Sequence, residues 1–262
     1  GHRNCTRTAA PRIDVAMACF AGCFGGVQPK SPQDLGKVKL YYFNVFAKGP
    51  AIALALSHGN FDWEGAVPTN WKDLKPQTPF GELPILEVPG KGMIGHELVI
   101  LNLLAKYSPA LGGATEDENL VSMQISAQAE DIYARLSKNQ NTISVKDKIP
   151  AEELQAFWED TNTAKHSRDY GIHAFLTFLE NFYIKIAGKG GNSGKFTSSG
   201  VSVGECKLFT TLHCLFMIKP TVLAKYPGLQ TFYNRFKAMA KTQEILENGG
   251  RFPEPFKQYF VA

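Results

Sequence analysis

The stretch PFGELPILEV, residues 79 to 88, carries two prolines beside what otherwise reads as a buried strand. Ile85 to Val88 has the apolar, β-branched character of a strand. Pro84 has no N–H to give to a ladder, so it belongs at the strand's start and not inside it. The Leu83–Pro84 bond is then either a trans linkage in an ordinary turn, the commoner state of an X-Pro bond, or a cis linkage that bends the backbone sharply as the strand begins.

Outward from this stretch, the sequence period changes in a readable order. Upstream, VKLYYFNV (38–45) is β-branched and aromatic and predicts a strand. A Gly49-Pro50 pair opens AIALALSHG, where Pro50 suits a first helical turn and Gly59 a helix stop. A short strand-like piece, FDWEGAV, and an irregular stretch to Thr78 follow. Downstream, a Gly-rich turn, PGKG, leads to a helix from about Glu97 to Lys106 with Leu98, Leu101 and Leu104 on one side. The order of strands and helices over 38–107 predicts a small α/β layer domain.

Beyond Tyr107 the strand signals stop. SPALGGATEDEN reads as a linker, and residues 117–262 form an all-helical region by pattern, with helices at roughly 117–139, 150–188, 203–217 and 228–248 and a Gly/Ser-rich loop at 188–200. SVGE, Ser202 to Glu205, has the spacing of a capping box ahead of an apolar run, so a helix is expected to begin there.

The chain has 262 residues, 44% of them hydrophobic and 20% charged, which suits a protein able to bury its own core. Its 28 basic and 24 acidic residues are scattered, without the dense basic run of a nucleic-acid or membrane-surface binder. No apolar run of membrane-spanning length occurs. Five cysteines, at 5, 19, 23, 206 and 214, form no zinc-spaced set, so no metal is expected and a reducing, cytoplasmic compartment is. Residues 1–37 differ in composition from the rest and read as a leader outside the folded part.

KLYYFN (39–44), WKDLKPQTPFGELPIL (71–86), the capping box at 202–205, and KYPGLQTFYNRF followed by PEPF together resemble the cytosolic glutathione S-transferases, most closely the sigma-like branch. The resemblance covers about residues 38–256. It implies a thioredoxin-like N-terminal domain, an all-α C-terminal domain and a homodimer, with glutathione as co-substrate. It also implies that Leu83–Pro84 is cis, so that Leu83 offers its N–H and C=O to the ligand's backbone as a sheet edge would.

The resemblance further implies the site. Tyr42, the second tyrosine of KLYYFN, matches the residue that donates its hydroxyl to the glutathione sulfur. Tyr41 falls on the opposite face by the two-residue period. Hydrogen bonding to the anion favours thiolate over thiol. Trp71 and Lys75 match contacts to the glycine end, and Lys48 stands where the pattern has arginine, keeping the charge without the planar fork. Glu82 occupies a position usually held by Gln or Lys.

At the helix start the aligned pair is His96-Glu97, or Gly95-His96, where the family has Gln-Ser. A glutamate there either turns outward or weakens the site, since like charges 4 Å apart at an effective dielectric of about 20 repel by about 4 kcal/mol. Phe43, Phe46 and Tyr133 are expected around an apolar electrophile. The activity implied is conjugation of the glutathione thiolate to a small electrophile, with peroxide reduction or prostaglandin-type isomerisation as related chemistries. The alternative is a crystallin-like binding or structural protein on the same fold.

Overall fold

The computed structural model describes residues 30–138, 151–187 and 193–260. Cys5, Cys19 and Cys23, most of the expected leader, and residues 188–192 of the Gly/Ser-rich loop lie outside these.

A four-stranded sheet runs in the order β3-β1-β4-β5, from Trp63–Ala66, Val38–Tyr41, Ile85–Val88 and Gly92–Gly95. β1 lies parallel to β3 and antiparallel to β4, and β4 pairs antiparallel with β5, which is the thioredoxin-like arrangement the order of elements implied. The ladder begins one residue after Pro84, and the Leu83–Pro84 bond is cis. Tyr41 stands opposite Ile85, so Tyr42 lies across from Pro84 where β1 ends.

α1 (Gly49–His58) is buried from Gly49 to Leu56 on every side. A helix apolar all round must have protein on all faces. It packs against α3 (Glu97–Ala105) and against a long helix from the second half of the chain. Short helices α2 (Trp71–Leu74) and α4 (Pro109–Gly112) fill the loops, the latter inside the expected linker.

The second half holds α5 (Glu116–Lys138), α6 (Ala151–Glu159), α7 (Ile172–Ala187), α8 (Val203–Ile218), α9 (Pro227–Lys237) and α10 (Ala240–Asn248). α8 is the central rod, and its most extensive helix contact is with α5. Gly204 permits that approach: a Cβ there would lie 2.0 Å from the Ser122 carbonyl oxygen. The Ser202–Glu205 capping box is present at the start of α8.

Three expectations are corrected. The helix expected over 150–188 is broken between Glu159 and Ile172, because Asp160 and Asn162 accept backbone N–H bonds from Asn162 and Ala164 and so offer the chain turns in place of helix. The helix expected over 228–248 is two, meeting at Ala238 and Met239. The last part of the stretch read as a leader is folded: Pro32–Leu35 is a short 3₁₀ turn, Leu35 is core, and Lys30 sits over the Tyr107 ring at 5.0 Å.

Two half-buried histidines make stability pH-dependent. His58 bonds to Thr242 and His213 to Tyr233, and burial holds both imidazoles down, at about 4. In the unfolded chain they protonate near the ordinary value of about 6.5. Between those values the unfolded chain binds more protons, so this stabilisation is complete above about pH 6.5 and lost as pH falls towards 4, by at most about 3 kcal/mol per histidine. A melting-temperature series from pH 7 to pH 4.5 is expected to fall less steeply for His58→Gln/His213→Gln than for the wild type. Parallel curves would remove the histidines as the cause.

Candidate functional site

β1 delivers Tyr42 to the start of α1. The Tyr42 side chain is 6% exposed, and its ring lies where a Cβ on Gly49 would come within 2.2 Å, so only glycine lets the helix begin there. Lys48 donates its backbone N–H to the Tyr42 hydroxyl oxygen at 2.9 Å, and the Gly49 amide pulls in the same sense. Burial nevertheless outweighs these amides and pushes the hydroxyl well above the ordinary tyrosine range, with Glu97 adding to the rise. The group therefore stays a phenol, its oxygen polarised by a helix N-terminus and its proton available to an acceptor. Tyr41 turns the other way and donates to Glu87 at 2.9 Å.

Around this phenol the residues singled out from sequence fall into two sets. On the open side, Phe43 meets Trp71 edge-on at 5.6 Å, and exposed Lys75 lays its stem against Gly81. Leu83 and Pro84 form the bent approach to β4. Glu82 and His96 pair with each other at 3.1 Å, with the His96 ring against Phe80 and its backbone at φ 64°. Positive φ is uncommon for a non-glycine residue and sets His96 apart as the cap of α3.

On the inner side the ionic residues pair among themselves. Glu97 turns neither outward nor into an open pocket: its side chain is 1% exposed and its Oε2 lies 2.6 Å from Lys207 Nζ on α8. The cause is its position one residue into α3, on the face packed against α8. Lys207 also lies 2.7 Å from Glu130 Oε2 on α5. That second contact is ionic attraction without the alignment of a hydrogen bond. Lys48 Nζ donates to Glu130 Oε1 at 2.6 Å, and both lysines sit over the Tyr133 ring, at 5.1 and 4.7 Å. Burial opposes charge on Lys207, but Glu97 and Glu130 outweigh it and hold the ammonium above its usual range. Burial would also raise Glu130, but Lys207 and Lys48 hold its carboxyl below the usual range.

The expected pocket wall is corrected at one position. β2 (Val45–Phe46) pairs in parallel with a C-terminal strand, β6 (Lys257–Gln258), and this turns Phe46 into the core against His213 and Phe256. Tyr133 is covered by Phe260, itself 1% exposed, at 5.8 Å. The sequence reading missed Lys207, Glu130 and Phe260. Lys207 alone left a signal: a single lysine within the apolar run VGECKLFTTLHCLF, which needs a buried partner wherever that run is buried.

The family model described as "Glutathione S-transferase, C-terminal domain" matches residues 133–249. Among curated relatives, glutathione S-transferase 1 of Ascaris suum is 32% identical over 152 residues, covering 56% of this chain and 67% of that protein. A glutathione S-transferase of Anopheles gambiae is 39% identical over 85 residues, 32% of this chain, and the match spans 41% of that relative's length. Two solved structures share the fold. Prostaglandin synthase D of Nilaparvata lugens has a TM-score of 0.60 at 22% identity, over 80% of this chain and 95% of that one. A Pi-class glutathione S-transferase of Onchocerca volvulus has 0.64 at 20%, over 79% and 90%. A thioredoxin-like layer on an all-helical domain is thus the glutathione S-transferase fold. The chain belongs to the glutathione S-transferase family.

Proposed function

We propose that this protein is a glutathione transferase in which Tyr42 hydrogen-bonds the glutathione sulfur and favours its thiolate, which then attacks a small apolar electrophile. The observation that carries the reading is the buried phenol whose oxygen takes the Lys48 N–H at the head of α1, across from the Leu83–Pro84 bend. A neutral O–H there stabilises an anion without removing its proton, which is what a thiol of ordinary pKa about 8.5 requires at neutral pH. Leu83 would pair with the peptide backbone of glutathione, Trp71 and Lys75 would meet its glycine end, and the amides at the start of α3 with His96 would meet its γ-glutamyl carboxylate. Glu82 is engaged with His96 and would act by orienting it.

Phe43 and Tyr133 would flank the electrophile, with Phe260 narrowing the Tyr133 side. Organic peroxides and prostaglandin-type endoperoxides fall within that substrate class. The N-terminal motif block favours a sigma-like member. A homodimer accords with the exposed apolar side chains of Phe80 and Val99, and a cytoplasmic location with the cysteine usage. The chemistry calls on no metal, and no described helix is long and apolar enough to cross a membrane.

A second reading has its own support. Lys48 and Glu97 are already paired within the protein, as suits a transferase fold that binds without turnover. Calorimetric titration with glutathione, beside a conjugation assay with a general aromatic electrophile, separates the two. Submillimolar binding with turnover is expected. Binding without turnover selects the second reading, and absence of binding sinks both.

A further inference from the structure

α1 begins without a side-chain cap. Its N-cap residue, Lys48, makes no such bond, and Pro50, the second helical residue, has no N–H to satisfy. The amides that open the helix have no partner within it, and the Tyr42 hydroxyl oxygen supplies one, accepting from the Lys48 nitrogen at 2.9 Å. The phenol stands in for a helix cap. With its oxygen so engaged, its own proton is left for an acceptor on the other side.

This arrangement depends on close approach. A Cβ on Gly49 would lie 2.2 Å from Tyr42 Cδ1, 2.4 Å from Cγ and 2.9 Å from Cε1. Cγ lies on the axis about which the ring turns, so rotating the ring alone leaves that clash in place and χ1 must change. Neither backbone is free to yield instead. The Tyr42 N–H is bonded to the Ala66 carbonyl at 3.0 Å, and α1 is buried from Gly49 to Leu56. A change at χ1 carries the hydroxyl, at the far end of the ring, further than the carbon it relieves, and the bond to the Lys48 amide opens. Gly49 also precedes a proline, which disfavours helical φ/ψ for a residue that carries a Cβ. Glycine thus meets two separate demands here, one of backbone and one of ring contact.

We propose that Gly49 is a positioning residue for the transfer reaction: by leaving room for the Tyr42 ring against the head of α1, it sets the direction in which the phenol offers its proton to the glutathione sulfur. The inference rests on the glutathione reading above and adds to it the backbone position that aims the catalytic group.

The test is kcat/KM of the full chain from about pH 6 to about pH 9 for the wild type, Gly49→Ala, Tyr42→Phe and Gly49→Ala/Tyr42→Phe. Gly49→Ala is expected to lower kcat/KM about tenfold at neutral pH, with the KM for glutathione within about threefold and a loss that shrinks past about pH 8.5, where the thiol ionises unaided. In the Tyr42→Phe background the same substitution is expected to change the rate less than about twofold, because the ring still meets the new Cβ but has no hydroxyl left to aim. A cleft distorted in general would lose rate in both backgrounds and at every pH. A wild-type rate in Gly49→Ala, or a loss as large in the Tyr42→Phe background, overturns the proposal. Should Gly49→Ala not fold, Gly49→Ala/Pro50→Ala decides: it lifts the proline's demand on the backbone and keeps the ring contact, so the same loss relative to Pro50→Ala is expected, and a rate equal to that of Pro50→Ala overturns it. Wild-type protein that binds no glutathione takes down both this inference and the reading beneath it, whereas turnover that depends on Tyr42 but not on Gly49 takes down this inference alone.

Discussion

Tyr42→Phe is expected to lower kcat/KM for glutathione conjugation about 25-fold at neutral pH while leaving glutathione affinity within about threefold. The free thiol, with a pKa of about 8.5, is only a few per cent ionised at neutral pH. A hydroxyl that lowers it by about two units supplies roughly 2.7 kcal/mol, and the variant forfeits this. Phenylalanine keeps the ring against Gly49, so the start of α1 is not disturbed. It also frees the Lys48 and Gly49 amides at the head of α1, which can then bond water or the sulfur itself. That compensation makes about 25-fold an upper value for the loss at pH 7. The signature is in the pH dependence: the ratio of wild type to variant should shrink as pH rises past about 8.5, where the thiol ionises unaided. A ratio near one at pH 7, or a ratio that does not change with pH, would take Tyr42 out of the chemistry.

The largest expected effect on stability is at Glu205. This carboxylate is fully buried at the first turn of α8 and accepts from the Ser202 and Phe196 backbone N–H groups at 3.0 and 2.9 Å, from the Thr197 hydroxyl at 2.6 Å and from the Ser202 hydroxyl at 3.0 Å. Arg235 lies 3.9 Å away and binds the carbonyls of Gly194 and Gly200. One side chain therefore caps the central helix and ties down residues 194–202. Glu205→Ala strands several buried donors, each costing about 1–3 kcal/mol, so a net loss of about 4–5 kcal/mol is expected, a large part of the 5–15 kcal/mol margin of an ordinary domain. Glu205→Gln should fall between alanine and wild type, because one of its two terminal atoms is a donor facing donors. Denaturant titration measures both. A cost below about 1 kcal/mol for the alanine variant would show that water reaches the cap and that the network is not sealed.

The capping box was legible from the spacing of Ser202 and Glu205, but its reach was not. SVGE predicts a helix start and a reciprocal pair, whereas Phe196, Thr197 and Arg235 join it only because the loop and α9 fold back over the helix end. The same contrast holds at the candidate site. Alternation along KLYYFN separated Tyr41 from Tyr42 correctly, and the two hydroxyls do go to opposite sides, one to Glu87 and one to the head of α1. The outcome for Glu97 was not legible. Its partner is 110 residues away in the chain, and sequence spacing carries no information about an ion pair made by packing α3 against α8. Phe46 shows a further form of this failure: its strand is paired by a segment more than 200 residues downstream.

What the sequence determined by itself was local: the order of strands and helices over 38–107, where α1 and α8 begin, the proline that opens β4, and that two adjacent tyrosines point to opposite faces. These follow from backbone sterics, side-chain period and short-range capping, all of which act within a few residues. The tertiary structure alone decided where the charges went. A buried ion is tolerated only with a partner of opposite charge, and whether Glu97 meets Lys207, a ligand or water depends on which surfaces the two domains press together.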